Sequence, residues 1–264
     1  MEFPRKSGIE RTSGWNNLPV SESIFLLERS DNMTSDYRIN YEKTPFLQSS
    51  QTGSSLDRLN FRCDVLLSSN QEAIKGKRIL DLASHDGRFS HACLELGARH
   101  VTGVEGRHHL VESANKNLID MGHNPKFFSF VQDDIFDYLH KVTPKEFDTV
   151  LCFGFFYHTI RQSELISEIR RIQPAHFLLD TLISKDTDEK PCLVFMPESH
   201  EIEGSTIDPI DLVAWPTKNY IELILRTYGF SFKELQWSSE KVNNLKEIGD
   251  YTQSVRVSYY SKRN

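Results

Sequence analysis

The chain has 264 residues, of which 38% are hydrophobic and 26% charged, and its formal net charge is −6. This length suits one domain with elaborations and a substantial core. The acidic balance and the lack of a dense run of Lys or Arg disfavour a nucleic-acid partner without excluding one. No apolar run reaches membrane-spanning length, and the opening MEFPRKSGIER lacks a signal-peptide core, so we expect a cytoplasmic protein with no membrane partner.

The cysteines and histidines do not form a metal-binding pattern. Four dispersed cysteines, at positions 63, 93, 152 and 192, lack the spacing of metal ligands. The ten histidines contain no H-E-x-x-H array. We therefore predict reduced thiols and no metal site.

The first 56 residues differ from the rest of the chain. Residues 1–20 are polar and rich in Pro and Gly, which predicts a partly mobile arm, followed by a short helix over Ser21–Arg29. Residues 57–264 are predicted to form one domain. Asp57 is a plausible N-cap for a helix that continues to about Asn70 and covers the sheet edge.

The central region alternates between short apolar runs and amphipathic segments. We predict strands over Arg78–Ala83, His100–Val104, Lys126–Val131, Phe147–Phe153 and His176–Ile183, with helices between them over Arg88–Leu96, Arg107–Met121, Ile135–His140 and Ser163–Ile172. This rhythm predicts a parallel sheet covered on both faces.

After the fifth strand the regular alternation stops. Residues 184–215 form a long polar insertion in which Leu193–Met196 could add a hairpin strand. Pro216 suits the first turn of a helix that runs to Tyr228. Two late strands follow, over Ser231–Trp237 and Ser254–Ser261.

The most informative stretch is residues 78–107, which joins a strand, a tight turn, a helix and a second strand that ends in Glu105. The carboxyl ends of parallel strands form a crevice where ligands bind. A carboxylate there can accept hydrogen bonds from both hydroxyls of a ribose, and the turn and helix N-terminus can hold the other end of a nucleotide-like cofactor. The turn departs from G-x-G-x-x-G because Ala83 and His85 stand where glycines are usual, which disfavours a pyrophosphate.

The turn sequence D-L-A-S-H-D-G resembles motif I of the class I S-adenosylmethionine (SAM) methyltransferases. The resemblance implies an α/β, Rossmann-like fold with a seven-stranded, mostly parallel sheet, an antiparallel C-terminal hairpin and helices on both faces. It also implies SAM as the cofactor and S-adenosylhomocysteine as the product.

The resemblance assigns cofactor contacts along three strand ends. Asp81 would support the turn and the amino group of the cofactor, and Glu105 would bind the ribose. Asp134 fits the contact with adenine best, with Asp133 as the alternative, and either acid could instead cap the helix that follows. The predicted cofactor-binding residues are Asp81, Ala83, Ser84, His85, Gly87, Glu105, Gly106, Asp133, Asp134, Ile135, Phe153 and Gly154.

The segment Gly154–His158 follows the fourth strand, where the methyl group should emerge. His158 is the candidate base and Tyr157 a candidate catalytic neighbour, because imidazole titrates near working pH. The aromatic side chains could stabilise a cationic substrate through their ring faces. The alternative is a packed aromatic cluster with a structural histidine.

Together these features predict a methyltransferase that acts on an oxygen or nitrogen of a small-molecule acceptor. The segment Tyr157–Thr181 is also similar to tRNA wobble-uridine carboxymethyltransferases, so tRNA methylation or carboxymethylation is one alternative. A SAM-binding sensor without transferase activity is another. The identity of the acceptor and the oligomeric state are left open.

Overall fold

The computed structural model describes residues 37–49, 55–185, 190–207, 211–238, 242 and 244–264. The predicted arm over residues 1–20 and the predicted helix Ser21–Arg29 lie outside these residues. No helix in the described part of the chain is both long enough and apolar enough to cross a membrane.

The regular elements follow the alternating order that the sequence predicted. The strands are β1 Arg78–Leu82, β2 His100–Glu105, β3 Phe128–Gln132, β4 Thr149–Phe153, β5 His176–Leu182, β6 Leu193–Pro197, β7 Leu212–Pro216, β8 Phe230–Glu234 and β9 Arg256–Arg263. The α-helices are α1 Leu56–Leu66, α2 Arg88–Glu95, α3 His108–Asp120, α4 Ile135–Lys141, α5 Gln162–Ile172, α6 Lys218–Thr227 and α7 Gly249–Thr252. Short 3₁₀ helices cover Pro45–Leu47, Ser68–Ala73 and Pro125–Phe127.

Seven strands form one sheet in the order β3-β2-β1-β4-β5-β9-β8. The first five are parallel to one another, and β9 is antiparallel to both β5 and β8. The predicted fold class is therefore confirmed. The chain order reverses between β1 and β4, and this is the position at which open α/β sheets bind ligands.

Both faces of the sheet are covered because successive residues of the central strands enter two different apolar clusters. Leu80 and Val150 pack in the cluster that contains α5 and α6, whereas Ile79 and Leu151 pack in the cluster that contains α1 and α2. Strands that are buried on both faces have nearly continuous apolar sequences. This explains why the runs in β1 and β4 could be recognised from the sequence.

Two predicted helix starts were wrong. Ser55, not Asp57, is the N-cap of α1, since its hydroxyl accepts a hydrogen bond from Arg58 N at 3.2 Å, and the α-helix ends at Leu66. Asp57 lies instead in the first turn, where a carboxylate is favoured by the helix dipole. Pro216 is the last residue of β7 rather than the first of a helix, and Thr217 caps α6.

Pro216 remains extended because β7 pairs with β6. The register joins Leu193 to Pro216 and Pro197 to Leu212 in a separate two-stranded antiparallel sheet. The hairpin strand predicted in the insertion is therefore present as β6, and it pairs with β7 at the end of the insertion.

Residues 37–49, which precede α1, pack against the rest of the domain. Tyr41 is fully buried, and its hydroxyl donates a hydrogen bond to the carbonyl of Arg88 at 2.7 Å. Phe46 packs edge-to-face against Tyr41 and is also buried. Residues 37–49 therefore support the start of α2, directly after the motif I turn.

Candidate active site

A cavity of about 260 Å³ lies at the carboxyl ends of the parallel strands. Twelve of the fourteen predicted site residues line it, and Asp81 and Gly87 do not. The predicted residues that line the cavity are Ala83, Ser84, His85, Glu105, Gly106, Asp133, Asp134, Ile135, Phe153, Gly154, Tyr157 and His158. The individual roles given to them remain predictions.

The motif I turn adopts glycine-like geometry without the usual glycines. Ala83 has φ 53° and His85 has φ 54°, so both take the left-handed conformation, and Gly87 has φ 83°. Each non-glycine residue in this region costs about 1–2 kcal/mol. The backbone path of the motif is thus kept at the expense of local strain, which is typical of functional turns.

Gly87 serves packing between the helix and the sheet. A Cβ atom there would lie 2.9 Å from Leu118 Cδ1 and 3.0 Å from Phe130 Cζ. Gly87 does not line the cavity because it is the N-cap of α2 and lies against α3 and β3.

Asp81 lies behind the turn rather than in the cavity wall. It is buried, and its carboxylate accepts a hydrogen bond from Ser90 Oγ at 2.7 Å, which ties β1 to α2. Burial raises the pKa of Asp81 to about 7, and the nearby carboxylates of Glu105 and Asp86 contribute in the same direction.

Glu105 is held by backbone donors at the end of β2. One carboxylate oxygen accepts from His85 N at 3.1 Å and the other accepts from Arg107 N at 2.9 Å. A carboxylate oxygen has more than one acceptor site, so both oxygens can still receive ribose hydroxyls. The same contacts fix the orientation of the carboxylate before any ligand binds.

The two acids after β3 have different partners. Asp134 caps α4, because its Oδ1 accepts from Phe136 N at 2.8 Å and from Asp137 N at 3.1 Å. Asp133 forms an ion pair with Lys141 at 2.7 Å. The capping alternative is therefore realised by Asp134, while both acids still line the cavity.

His158 is paired with a residue of the insertion. Its Nδ1 lies 2.5 Å from Glu198 Oε2, and that carboxylate also accepts from Thr206 N at 2.8 Å. Burial opposes ionisation of Glu198, but the hydrogen bonds from His158 and from Thr206 N lower the pKa of Glu198 below its ordinary value. Glu198 lies in the polar insertion, and the sequence gave no sign of this pairing.

Arg107 anchors the insertion over the cavity. Its guanidinium donates to the carbonyls of Ser205, His200 and Ile202 at 3.1, 2.9 and 3.0 Å. Gly106 leaves room for this approach, because a Cβ there would collide with Ile207 Cδ1. The insertion therefore forms a wall of the cavity.

The other side of the cavity is lined by arginines that no sequence pattern indicated. Arg58 and Arg62 come from α1 and Arg256 from β9. Asp180 on β5 is fully buried and binds Arg62 Nη2 at 2.6 Å and Arg256 Nη1 at 3.2 Å. These partners are 118 and 76 residues away from Asp180. No motif joins them in the sequence.

A further histidine cluster lies outside the cavity wall. His91, Glu95 and His123 place possible ligand atoms within 4.8 Å of one another, although the sequence showed no metal pattern. His91 Nδ1 and His123 Nε2 lie 2.7 Å apart, which is a hydrogen-bond distance. Burial lowers the pKa of His91 to about 3, and His123 adds to the effect, so the ring is neutral. Two neutral imidazoles can share this hydrogen bond without a cation.

Comparisons with known proteins agree with the fold. Residues 74–181 match the family model described as a methyltransferase domain. This stretch of the chain is therefore similar to a methyltransferase domain.

Several solved structures have a similar fold. The N-terminal domain of EvdMO1, solved with S-adenosylhomocysteine and D-fucose, is 21% identical, with a TM-score of 0.60 over 80% of this chain and 85% of that one. A SAM-dependent methyltransferase from Mesorhizobium loti is 14% identical, with a TM-score of 0.56 over 78% and 100%. One from Archaeoglobus fulgidus is 18% identical, with a TM-score of 0.52 over 80% and 96%. A search of curated proteins gave no match.

Proposed function

We propose that this protein is a methyltransferase that transfers the methyl group of SAM to an oxygen or nitrogen of a small-molecule acceptor, with His158 as the base. The observation that carries the proposal is the pairing of His158 with Glu198 in the wall of a cavity that also contains Glu105. A base oriented by a carboxylate is suited to removing a proton from a nucleophile.

The residues on the β2 and β3 side suit the adenosine part of the cofactor. Glu105 presents a fixed carboxylate for the ribose hydroxyls, and Asp133 and Asp134 lie one strand further along. The strained turn at Ala83 and His85 leaves backbone groups beside the same cavity. This donor and acceptor set fits an adenosyl group.

In the proposed reaction, the cofactor supplies the methyl group, and the protein supplies the base and positions the acceptor. When bound, SAM supplies a methyl group already activated by the positive charge on sulfur. Glu198 can accept a hydrogen bond from His158 Nδ1–H, and in the neutral ring this arrangement makes Nε2 the proton acceptor. His158 then takes the proton that the acceptor oxygen or nitrogen loses. The aromatic residues and the insertion position the acceptor, and positioning supplies much of the rate enhancement.

Two measurements test the proposal. Calorimetry with S-adenosylhomocysteine should show binding, and a transfer assay across hydroxyl and amine acceptors should show turnover. His158→Ala should lower kcat by about 10²- to 10⁴-fold, the usual contribution of a general base, without a matching loss of product affinity. His140→Ala on the exposed side of α4 is the matched control and should leave kcat unchanged.

Each failure has a distinct meaning. Absence of binding to S-adenosylhomocysteine would reject the cofactor assignment. Binding without turnover on any acceptor would favour the SAM-binding sensor, and turnover confined to tRNA would favour the RNA-modifying alternative. An unchanged kcat in His158→Ala would reject His158 as the base.

A further inference from the structure

One end of the cavity holds more positive charge than its carboxylates neutralise. Arg58, Arg62 and Arg256 all line the cavity. Their ion pairs are made with Asp180 and Asp250. Among the described residues, three guanidinium groups therefore share two carboxylates. Buried charges are normally paired, so this group has capacity for one more anion.

Arg62 has hydrogen-bond donors that its neighbours do not use. The residue is only 8% exposed, and a guanidinium carries five N–H donors. Within the described part of the chain, its hydrogen bond is the one from Nη2 to Asp180 at 2.6 Å, while Nε is buried with no acceptor. An unsatisfied buried donor costs about 1–3 kcal/mol. The guanidinium lies 4.8 Å from the ring centre of Phe89, which also lines the cavity.

The arginines lie on the side where the acceptor should enter. Arg256 Cζ is 5.6 Å from the ring centre of Tyr157, beside the candidate base His158. Asp180 pairs in register with Phe153, the last residue of β4. Glu105 lies at the end of β2, on the other side of β1 in the sheet order. The cavity is thus acidic at its adenosyl end and basic at its acceptor end.

We propose that the acceptor carries a carboxylate or phosphate group, which Arg62 and Arg256 bind while the nucleophilic atom faces His158. This inference rests on the proposed methyl transfer. A guanidinium binds oxyanions through two parallel N–H donors, which gives orientation as well as affinity. The excess positive charge would repel a cationic acceptor. It therefore argues against the cation-binding role that the aromatic residues suggested in the sequence.

The test uses the full chain saturated with S-adenosylhomocysteine and three small probes. By calorimetry, benzoate and inorganic phosphate should bind, and neutral benzamide should bind at least about tenfold more weakly than benzoate. Arg62→Met should lower benzoate affinity by about tenfold or more. Arg226→Met, which removes an exposed arginine on α6, is the matched control and should leave benzoate affinity unchanged.

Arg62→Lys keeps the positive charge but not the planar donor set, so it should cause an intermediate loss of benzoate affinity. If Arg62→Met does not fold, the benzoate affinity of Arg62→Lys still tests the proposal. Equal binding of benzoate and benzamide, or an unchanged benzoate affinity in both Arg62 variants, would overturn the proposal.

The cofactor has a carboxylate of its own, so a second comparison identifies the source of the anion. The affinities of wild type and Arg62→Met should match for S-adenosylhomocysteine, and also for 5′-methylthioadenosine, which lacks the amino-acid portion. A loss confined to S-adenosylhomocysteine would assign Arg62 to the cofactor and overturn the acceptor role. If wild type binds no S-adenosylhomocysteine, the proposed function fails. Titration of benzoate into the free chain then reports separately on the anion site.

Discussion

The two halves of the cavity are built in different ways. On the β1–β3 side the contacts are local: Glu105 is held by backbone groups 20 and 2 residues away, and Asp134 by the first turn of its own helix. On the β4–β9 side, Asp180 depends on arginines 118 and 76 residues away. The first half can be recognised as a motif, whereas the second exists only once the sheet has formed.

This difference explains what the sequence could reveal. The apolar runs of the buried strands and the turn D-L-A-S-H-D-G predicted the fold and most of the residues that line the β1–β3 side of the cavity. Arg62 and Arg256 had no signal, because a cationic residue in α1 or β9 looks like a solvated surface charge until its partner is known. Glu198 was similarly hidden, since its partner His158 lies 40 residues earlier.

The largest expected effect tests whether the long-range half holds the domain together. Asp180→Asn leaves Arg62 and Arg256 buried without their shared carboxylate, and we expect a loss of about 3–5 kcal/mol in the free energy of unfolding. Urea denaturation measures it. Asp120→Asn removes an exposed partner of Lys116 and should change stability by less than about 1 kcal/mol. A similarly small change for Asp180→Asn would show that the network does not support the fold.

A second prediction concerns the buried acid of the local half. The pKa of Asp81 is raised from 3.8 to about 7 in the folded chain, so the folded state binds this proton more tightly than the unfolded state. Its stabilising contribution is complete below pH 4 and is lost as the pH rises toward 7. The slope is at most about 1.4 kcal/mol per pH unit.

Unfolding free energies of wild type and Asp81→Asn, measured from pH 4 to pH 8, check this expectation. The variant should retain more of its stability as the pH rises from 4 to 7. Parallel curves for the two proteins would show that Asp81 is ionised in the folded chain and that its burial is compensated.

A third prediction asks whether the local half binds the cofactor. Glu105→Ala removes the acceptor for the ribose hydroxyls and should weaken S-adenosylhomocysteine binding by more than about tenfold, or about 1.4 kcal/mol. Calorimetry measures this affinity. Glu112→Gln, which changes an exposed carboxylate on the next helix, is the control. Unchanged affinity in Glu105→Ala would refute the ribose assignment.

The smallest expected effect concerns the motif I turn. Ala83→Gly relieves the left-handed conformation of a non-glycine residue and should stabilise the chain by about 1 kcal/mol. Ala92→Gly, in the middle of α2, should destabilise it by about 1 kcal/mol or more, because glycine lowers helix propensity and removes a buried methyl group. Thermal unfolding of the two variants should therefore shift in opposite directions. A lower melting temperature for Ala83→Gly would show that the turn is not strained.

Arg107 belongs to both halves of the cavity. Its backbone N–H fixes the carboxylate of Glu105, and its side chain secures the carbonyls of the insertion that also supplies Glu198. Binding of a ribose to Glu105 would therefore affect Arg107, which also holds the segment that carries Glu198, the partner of His158. We expect the two ligands to bind in order, cofactor before acceptor, because Arg107 contacts both the carboxylate proposed to bind the cofactor and the insertion that borders the acceptor site.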